Sequence, residues 1–153
     1  MSDHVQNVLI SCSQTLYALK TLCAHGLSTP ALHNIYLSVI LGKITYAASA
    51  WCGFATQTDK RRIESFIKRS KRTGLCPDDV TDFDSMCQTG DSRLFKAITS
   101  NNSHVLYALL PSKSTVSEYY NLRSRLHDFE LPDRCNHLTD SNFLYRILYR
   151  TQY

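Results

Sequence analysis

A short basic segment, from Thr58 to Gly74, constrains the fold more than any other part of the chain. At about 100° per residue, its apolar and small residues fall within one sector of a helix roughly 100° wide, and the bases occupy the opposite face. The sector contains Asp59, Ile63, Phe66, Ile67 and Ser70. Thr58 is placed to cap the start of this helix and Gly74 to end it. The segment therefore predicts a helix that packs on one face and presents a basic stripe to solvent.

Positive charge is concentrated in the same segment. Residues 59–72 contain seven bases and two acids, a net charge of +5, whereas the rest of the chain has ten bases and eleven acids, so the segment accounts for the whole net charge of +4. A polyanion is the natural partner of such a stripe. The candidate nucleic-acid-binding residues are Lys60, Arg61, Arg62, Lys68, Arg69, Lys71 and Arg72.

Two other interpretations of the stripe stay open. Basic helix faces are often only solvated surface. The pattern also does not show whether the partner is RNA, DNA or an acidic surface of another protein. A helix lying on a membrane surface is disfavoured, because the apolar sector lacks the Trp- and Leu-rich breadth of such helices.

Composition favours a folded intracellular chain. Of its 153 residues 43% are hydrophobic, with nine Tyr and six Phe, which is enough for a core and favours one domain with a loosely attached tail. The N-terminus lacks the basic and apolar regions of a signal peptide. The longest apolar stretch, residues 35–51, is interrupted by Ser38, Lys43, Thr45 and Ser49. We expect a nuclear or cytoplasmic protein that is not secreted and contacts no membrane.

The six cysteines predict neither a disulfide framework nor a metal site. They are scattered, with no C-x-x-C pair. Cys135 and His137 form the only close Cys/His pair, and zinc would need two further ligands from elsewhere. Most of the thiols are therefore interpreted as small apolar residues on helices.

Hydrophobic spacing predicts an all-α helical bundle in three regions. Residues 1–75 hold three main helices: one from His4 to Cys23 ending near Gly26, one beginning at Pro30, and the basic helix. Residues 76–111 form an acidic linker with two short helices, at 82–89 and 91–101. Residues 112–153 form an irregular tail that ends in a short helix from about Ser141. Strand-like alternation is nearly absent.

The search for catalytic motifs is negative. The sequence has no phosphate-binding glycine loop, no H-E-x-x-H and no G-x-S-x-G. The adjacent carboxylates of Asp78 and Asp79 follow Pro77 and are interpreted as surface or capping residues. We expect no catalytic residue, no metal, no cofactor and no small-molecule substrate.

Several ordered motifs resemble one family along nearly the whole chain. These motifs are residues 19–27, 46–54, 59–72, 91–95, 102–106, 110–111, 122–125, 131–134, 138–143 and 146–149, and the terminal Tyr153. In this order they resemble the region that follows the palm of LINE-type reverse transcriptases, the polymerases of non-LTR retrotransposons of the jockey and related clades.

The resemblance implies a thumb-like helical bundle followed by the C-terminal tail of an RNA-directed DNA polymerase. A thumb grips the backbone of the template–primer duplex, so the implied partner is RNA or an RNA–DNA hybrid. The palm's aromatic-x-Asp-Asp motif is absent, and the catalytic aspartates are not assigned to Asp78 and Asp79. The resemblance therefore implies a truncated, non-catalytic fragment that binds nucleic acid.

A rival interpretation is a helical protein-interaction module without a nucleic-acid role. Without its palm, such a fragment would expose an apolar face, through Leu9, Leu16 and Tyr17, and would self-associate. A degenerate remnant without a selected function is a third alternative.

Overall fold

The computed structural model describes residues 1–114, 127–133 and 136–150. Helices dominate these residues, and their only β pairing is an isolated bridge between Lys113 and Phe129, so the all-α class is confirmed. Contacts within the chain define two compact units, Met1–Gly90 and Asp91–Tyr153. The division into three regions at residues 75 and 111 stays a prediction.

Unit 1 contains most of the helices. They are α1 (Ser2–Ala24), α2 (Thr29–Ile35), a π-helical segment (Tyr36–Leu41), α3 (Gly42–Thr45), α4 (Ala48–Trp51), a 3₁₀ turn (Cys52–Phe54), α5 (Gln57–Arg72) and the first part of α6 (Phe83–Ser100). The π-helical segment connects α2 and α3 without a break, and Ala47, in the left-handed region at φ 48°, separates α3 from α4.

The first two predicted helices are present, and each begins within two residues of its predicted start. Gly26 follows α1 at φ 88°, a conformation that glycine adopts without the steric penalty of a Cβ atom. Pro30 lies in the first turn of α2, where its missing N–H has no intrahelical partner to lose. Spacing of three, four or seven residues places Val5, Cys12, Leu16 and Leu19 on the buried face of α1.

One apolar core holds unit 1 together. Tyr36, Ile40 and Ile44 are fully buried at helical spacing, and they belong to the same buried cluster as α1 and α5. Burial of each such side chain stabilises the fold by about 1.5–3 kcal/mol. This core holds α5 in place, and thereby positions the basic residues.

The basic helix begins two residues earlier than predicted. Helix α5 begins at Gln57, and its cap is Thr56, whose side chain accepts the backbone N–H of Asp59 at 3.1 Å; the prediction of Thr58 as the cap is wrong. The predicted end is right, since Gly74 lies just beyond the helix at φ 69°. The buried face is also as predicted: Asp59, Ile63, Phe66, Ile67 and Ser70.

The two short helices predicted at 82–89 and 91–101 are one helix, α6. Asp82 stands before it and accepts the backbone N–H of Ser85 at 2.7 Å. This bond and a second from the Ser85 hydroxyl hold the pKa of Asp82 below its ordinary value. Gly90 lies inside the helix and does not interrupt it.

Unit 2 has its own apolar core and a partly buried ion pair. Phe95 and Ile98 of α6 pack with Phe143, Ile147 and Leu148 of α8 (Phe143–Leu148), which follows the short helix α7 (His137–Ser141). Arg146 Nη2 donates to Asp91 Oδ2 at 2.9 Å. Asn136 and Thr139 form a reciprocal capping box at the start of α7. The motif at 122–125, Cys135 and Tyr153 lie outside the described residues.

One described helical run, Thr29–Phe54, is long and apolar enough to cross a membrane by length and composition alone. The sequence interpretation rejected this region because polar residues interrupt it. Core helices of globular domains pass the same test, and this run supplies Leu32 and Ile44 to the unit 1 core. The location of the chain in the cell stays a prediction.

Candidate nucleic-acid interface

Helix α5 presents its seven bases on three distinct edges. Opposite the buried face lie Arg61, Lys68 and Arg72, named here the outer row, and all three are exposed. Lys60 and Lys71 lie on the edge that faces α6 and the loop before it, residues 73–82; we name this the loop edge. Arg62 and Arg69 lie on the edge that faces α1. The three edges differ in how far their charges are neutralised within the protein.

Both bases of the loop edge are held by contacts within the protein. Lys60 Nζ forms an ion pair with Asp84 Oδ1 at 2.7 Å, and Lys71 Nζ donates to the carbonyl oxygens of Asp78 at 2.7 Å and Val80 at 2.6 Å. Glu64, the other acid of the basic segment, accepts the backbone N–H of Phe83 at the start of α6. Lys60 and Lys71 therefore tie α5 to the loop and to α6.

The outer row has no such partners. Within the described residues, Arg61, Lys68 and Arg72 make no hydrogen bond, ion pair or cation–π contact. At about 1.5 Å rise per residue, the row extends for about 16 Å along α5. It is a line of unneutralised cations with nothing from its own unit to satisfy it.

The α1 edge forms the wall of a groove. Helix α1 runs parallel to α5: the Ser2 hydroxyl donates to Asp59 Oδ2 at 2.8 Å, and Arg62 Nη2 donates to the Gln6 side chain. Farther along, the Arg69 guanidinium stacks over the Phe66 ring, 5.7 Å from its centroid. The two helices leave an open groove between them.

This groove is suited to anions. It has a volume of about 390 Å³, and its α5 wall carries three guanidinium groups, those of Arg61, Arg62 and Arg69. Hydroxyl groups of Ser13, Thr58 and Ser65 also line it. Guanidinium and hydroxyl donors are the groups that contact phosphate oxygens in protein–nucleic acid complexes. We name it the arginine groove.

A second groove, of about 540 Å³, adjoins the arginine groove along α1. Leu9, Ser13 and Arg62 line both. The second groove is mainly apolar, and its lining includes Ile10, 47% exposed, and Tyr17, 75% exposed. We name it the tyrosine groove. Sequence reasoning singled out Tyr17 but missed the groove, because its walls come from segments about 50 residues apart.

The apolar face predicted for self-association is only partly exposed. Tyr17 is exposed and Leu9 half-buried, but Leu16 is 6% exposed and belongs to the unit 1 core. Leu16 was therefore wrongly placed on that face: its spacing from Cys12 and Leu19 carries it inward.

One carboxylate lies on the buried face of the basic helix itself. Asp59 is 2% exposed, and hydroxyl donation from Thr56 and then from Ser2 holds its pKa below the ordinary value. Arg62 Nη1 lies 3.5 Å from Asp59 Oδ1. Asp59 therefore fixes the start of α5 and orients Arg62, and it has a structural role.

The described residues hold no group of three or more His, Cys, Asp or Glu side chains arranged to bind a metal ion. Asp78 and Asp79 are exposed on the loop after α5, and the Asp78 carbonyl accepts Lys71. His137 is exposed at the start of α7, and its predicted partner Cys135 lies outside the described residues. Of the other cysteines, Cys12, Cys52, Cys76 and Cys87 are buried thiols.

No protein-family model, no curated protein and no solved structure matches this chain. The resemblance to LINE-type reverse transcriptases therefore stays a prediction from the sequence motifs. The case for a function rests on the geometry of α5 and its two grooves.

Proposed function

We propose that the chain is a non-catalytic module that binds the phosphate backbone of RNA or of an RNA–DNA hybrid through α5. The observation that carries the proposal is the outer row, Arg61, Lys68 and Arg72, whose three charges have no partner in the described part of the chain. A polyanion neutralises such a row at little desolvation cost, because the side chains are already exposed.

The proposed contact set is narrower than the seven bases of the sequence prediction. Arg61, Lys68 and Arg72 contact phosphates from the outer row, and Arg62 and Arg69 from the arginine groove. Lys60 and Lys71 are assigned to holding the loop and α6. Phosphates carry no base identity, so the contact tolerates any sequence.

Descent from a reverse-transcriptase thumb and tail is part of the same proposal, and it rests on the ordered motifs. It explains why a helical module without catalytic residues carries a basic helix.

Fluorescence anisotropy with a labelled RNA–DNA hybrid, repeated at several salt concentrations, tests the proposal. With four or five phosphate contacts, log K falls against log salt with a slope of roughly −4. A folded protein that fails to bind the hybrid at low salt would contradict the proposal and leave the outer row as solvated surface.

One observation favours the second candidate, a self-associating module. The tyrosine groove leaves Ile10 and Tyr17 exposed on the same face of α1, about two turns apart. A second copy would bury them by the hydrophobic effect, which salt does not screen. Concentration-dependent oligomers in sedimentation velocity that persist at high salt would favour this candidate.

A further inference from the structure

The tyrosine groove has no role in the contact with a duplex backbone. It is an apolar surface with an exposed aromatic ring, and it is continuous with the arginine groove through Leu9, Ser13 and Arg62. A ligand that fills both grooves needs an anionic part and a flat apolar part joined along one chain. Single-stranded nucleic acid has this combination.

We propose that a strand whose phosphates lie along the arginine groove continues unpaired into the tyrosine groove, where a base stacks on Tyr17. This inference rests on the proposed function, and it adds the class of substrate: nucleic acid with a single-stranded extension. Aromatic side chains beside a basic groove are the usual means by which proteins hold unpaired bases.

The geometry favours an unpaired strand over a duplex in the tyrosine groove. In a duplex the bases stack on one another, so they do not reach a side chain that lies beside the backbone contacts. The outer row and the arginine groove carry basic side chains of α5, whereas the tyrosine groove is lined mainly by α1. The outer row and the arginine groove therefore hold the duplex backbone, and the tyrosine groove takes the unpaired end of the same ligand.

The Tyr17 ring is available for stacking. It is 75% exposed, and the structure gives its side chain no hydrogen bond or ring contact with another described residue. Ser13 lies one helical turn away in the same groove wall and also lines the arginine groove. A strand that leaves the arginines therefore meets the ring within about one turn of α1, some 5–6 Å.

The test compares a blunt RNA–DNA hybrid with the same hybrid carrying a short single-stranded extension. Wild type, Tyr17→Ala and Tyr17→Phe are titrated by anisotropy on both probes. Tyr46→Ala is the matched control, because Tyr46 is 78% exposed at the end of α3. Since both tyrosines are exposed, neither substitution opens the core.

We expect wild type to bind the extended probe at least about fivefold more tightly than the blunt one. Tyr17→Ala should abolish this preference and leave the blunt affinity unchanged, whereas Tyr17→Phe and Tyr46→Ala should retain it. An extension of abasic sugars should also abolish it, since phosphates remain but no base can stack.

Equal affinity of wild type for the two probes, or an equal loss on both probes in Tyr17→Ala, would overturn the inference and leave the proposed backbone contact standing. Binding to neither probe would defeat the proposed function and the inference together. If Tyr17→Ala instead turns a dimer into a monomer in sedimentation velocity with unchanged binding, a second copy occupies the groove and the inference is wrong.

Discussion

Thr56 and Asp59 form two reciprocal hydrogen bonds at the start of α5. The backbone N–H of Asp59 donates to the Thr56 side-chain oxygen at 3.1 Å, and the Thr56 hydroxyl donates to Asp59 Oδ2 at 2.8 Å. This reciprocal cap satisfies one of the N–H groups that a helix start leaves without an intrahelical partner. It fixes the N-terminus of the helix that carries every proposed phosphate contact.

Thr56→Ala should lower the free energy of unfolding by about 1 kcal/mol, because the Asp59 N–H loses its acceptor. Thr58→Ala is the matched control, since Thr58 lies inside the first turn and is exposed; its effect should stay within about 0.5 kcal/mol. Urea unfolding followed by circular dichroism measures both. A larger loss in Thr58→Ala than in Thr56→Ala would restore Thr58 as the cap.

Gly90→Ala should stabilise the protein by about 0.5–1 kcal/mol, because alanine loses less backbone entropy than glycine inside a helix. The added methyl group has room: its nearest neighbour would be Ser49 Oγ at 3.8 Å, an ordinary contact. Gly74→Ala is the opposite control and should destabilise by about 1 kcal/mol, because φ is 69° there. Thermal melts of the two variants should shift in opposite directions, and a loss of stability in Gly90→Ala would contradict the continuous α6.

Acid should unfold the protein partly through Asp59. Its pKa in the folded protein is depressed, so its stabilising contribution is present above the unfolded value, about 3.9, and is lost as pH falls through the folded value. Stability should therefore hold from about pH 6 to about pH 5 and fall below about pH 4.

Asp59→Asn removes this titration, so its urea midpoint should depend less on pH across the acid range than that of wild type. Asp82, whose pKa is also depressed, continues to titrate in both proteins, so some dependence remains. Identical acid profiles for wild type and Asp59→Asn would show that Asp59 does not contribute.

The fold class and the buried face of α5 could be predicted because they follow from local spacing. A run of apolar residues three, four and seven apart fixes which side of a helix is buried, as it did for Ile63, Phe66 and Ile67. Helix ends were harder to predict. Thr56 and Thr58 are both residue types that cap helices, and Thr56 is the cap because it forms two hydrogen bonds with Asp59. Gly90 falls between the two helices predicted at 82–89 and 91–101, but an interior glycine costs only about 1 kcal/mol, which a long helix tolerates.

The arrangement of the site could not be read from the sequence. Lys60 and Lys71 have the same charge as Lys68, and only the fold brings Asp84 and the Asp78 and Val80 carbonyls to them. The grooves likewise require α1 and α5 to lie parallel, which is a tertiary relationship. The spacing of charged and apolar residues therefore identified the basic helix, whereas the packing of the folded chain determines which of its bases are available for binding.

The most direct test of the central claim compares two charge variants that each lose three bases. Arg61→Gln/Lys68→Gln/Arg72→Gln removes the outer row, and Lys20→Gln/Arg93→Gln/Lys96→Gln removes three exposed bases outside α5. Anisotropy with the blunt RNA–DNA hybrid, across a salt series, gives the slope of log K against log salt for each. We predict that the outer-row variant flattens the wild-type slope by roughly 3 and binds weakly at low salt, while the control keeps a slope near that of wild type. Equal slopes in the two variants would contradict the account, because binding would then follow net charge and not the outer row of α5.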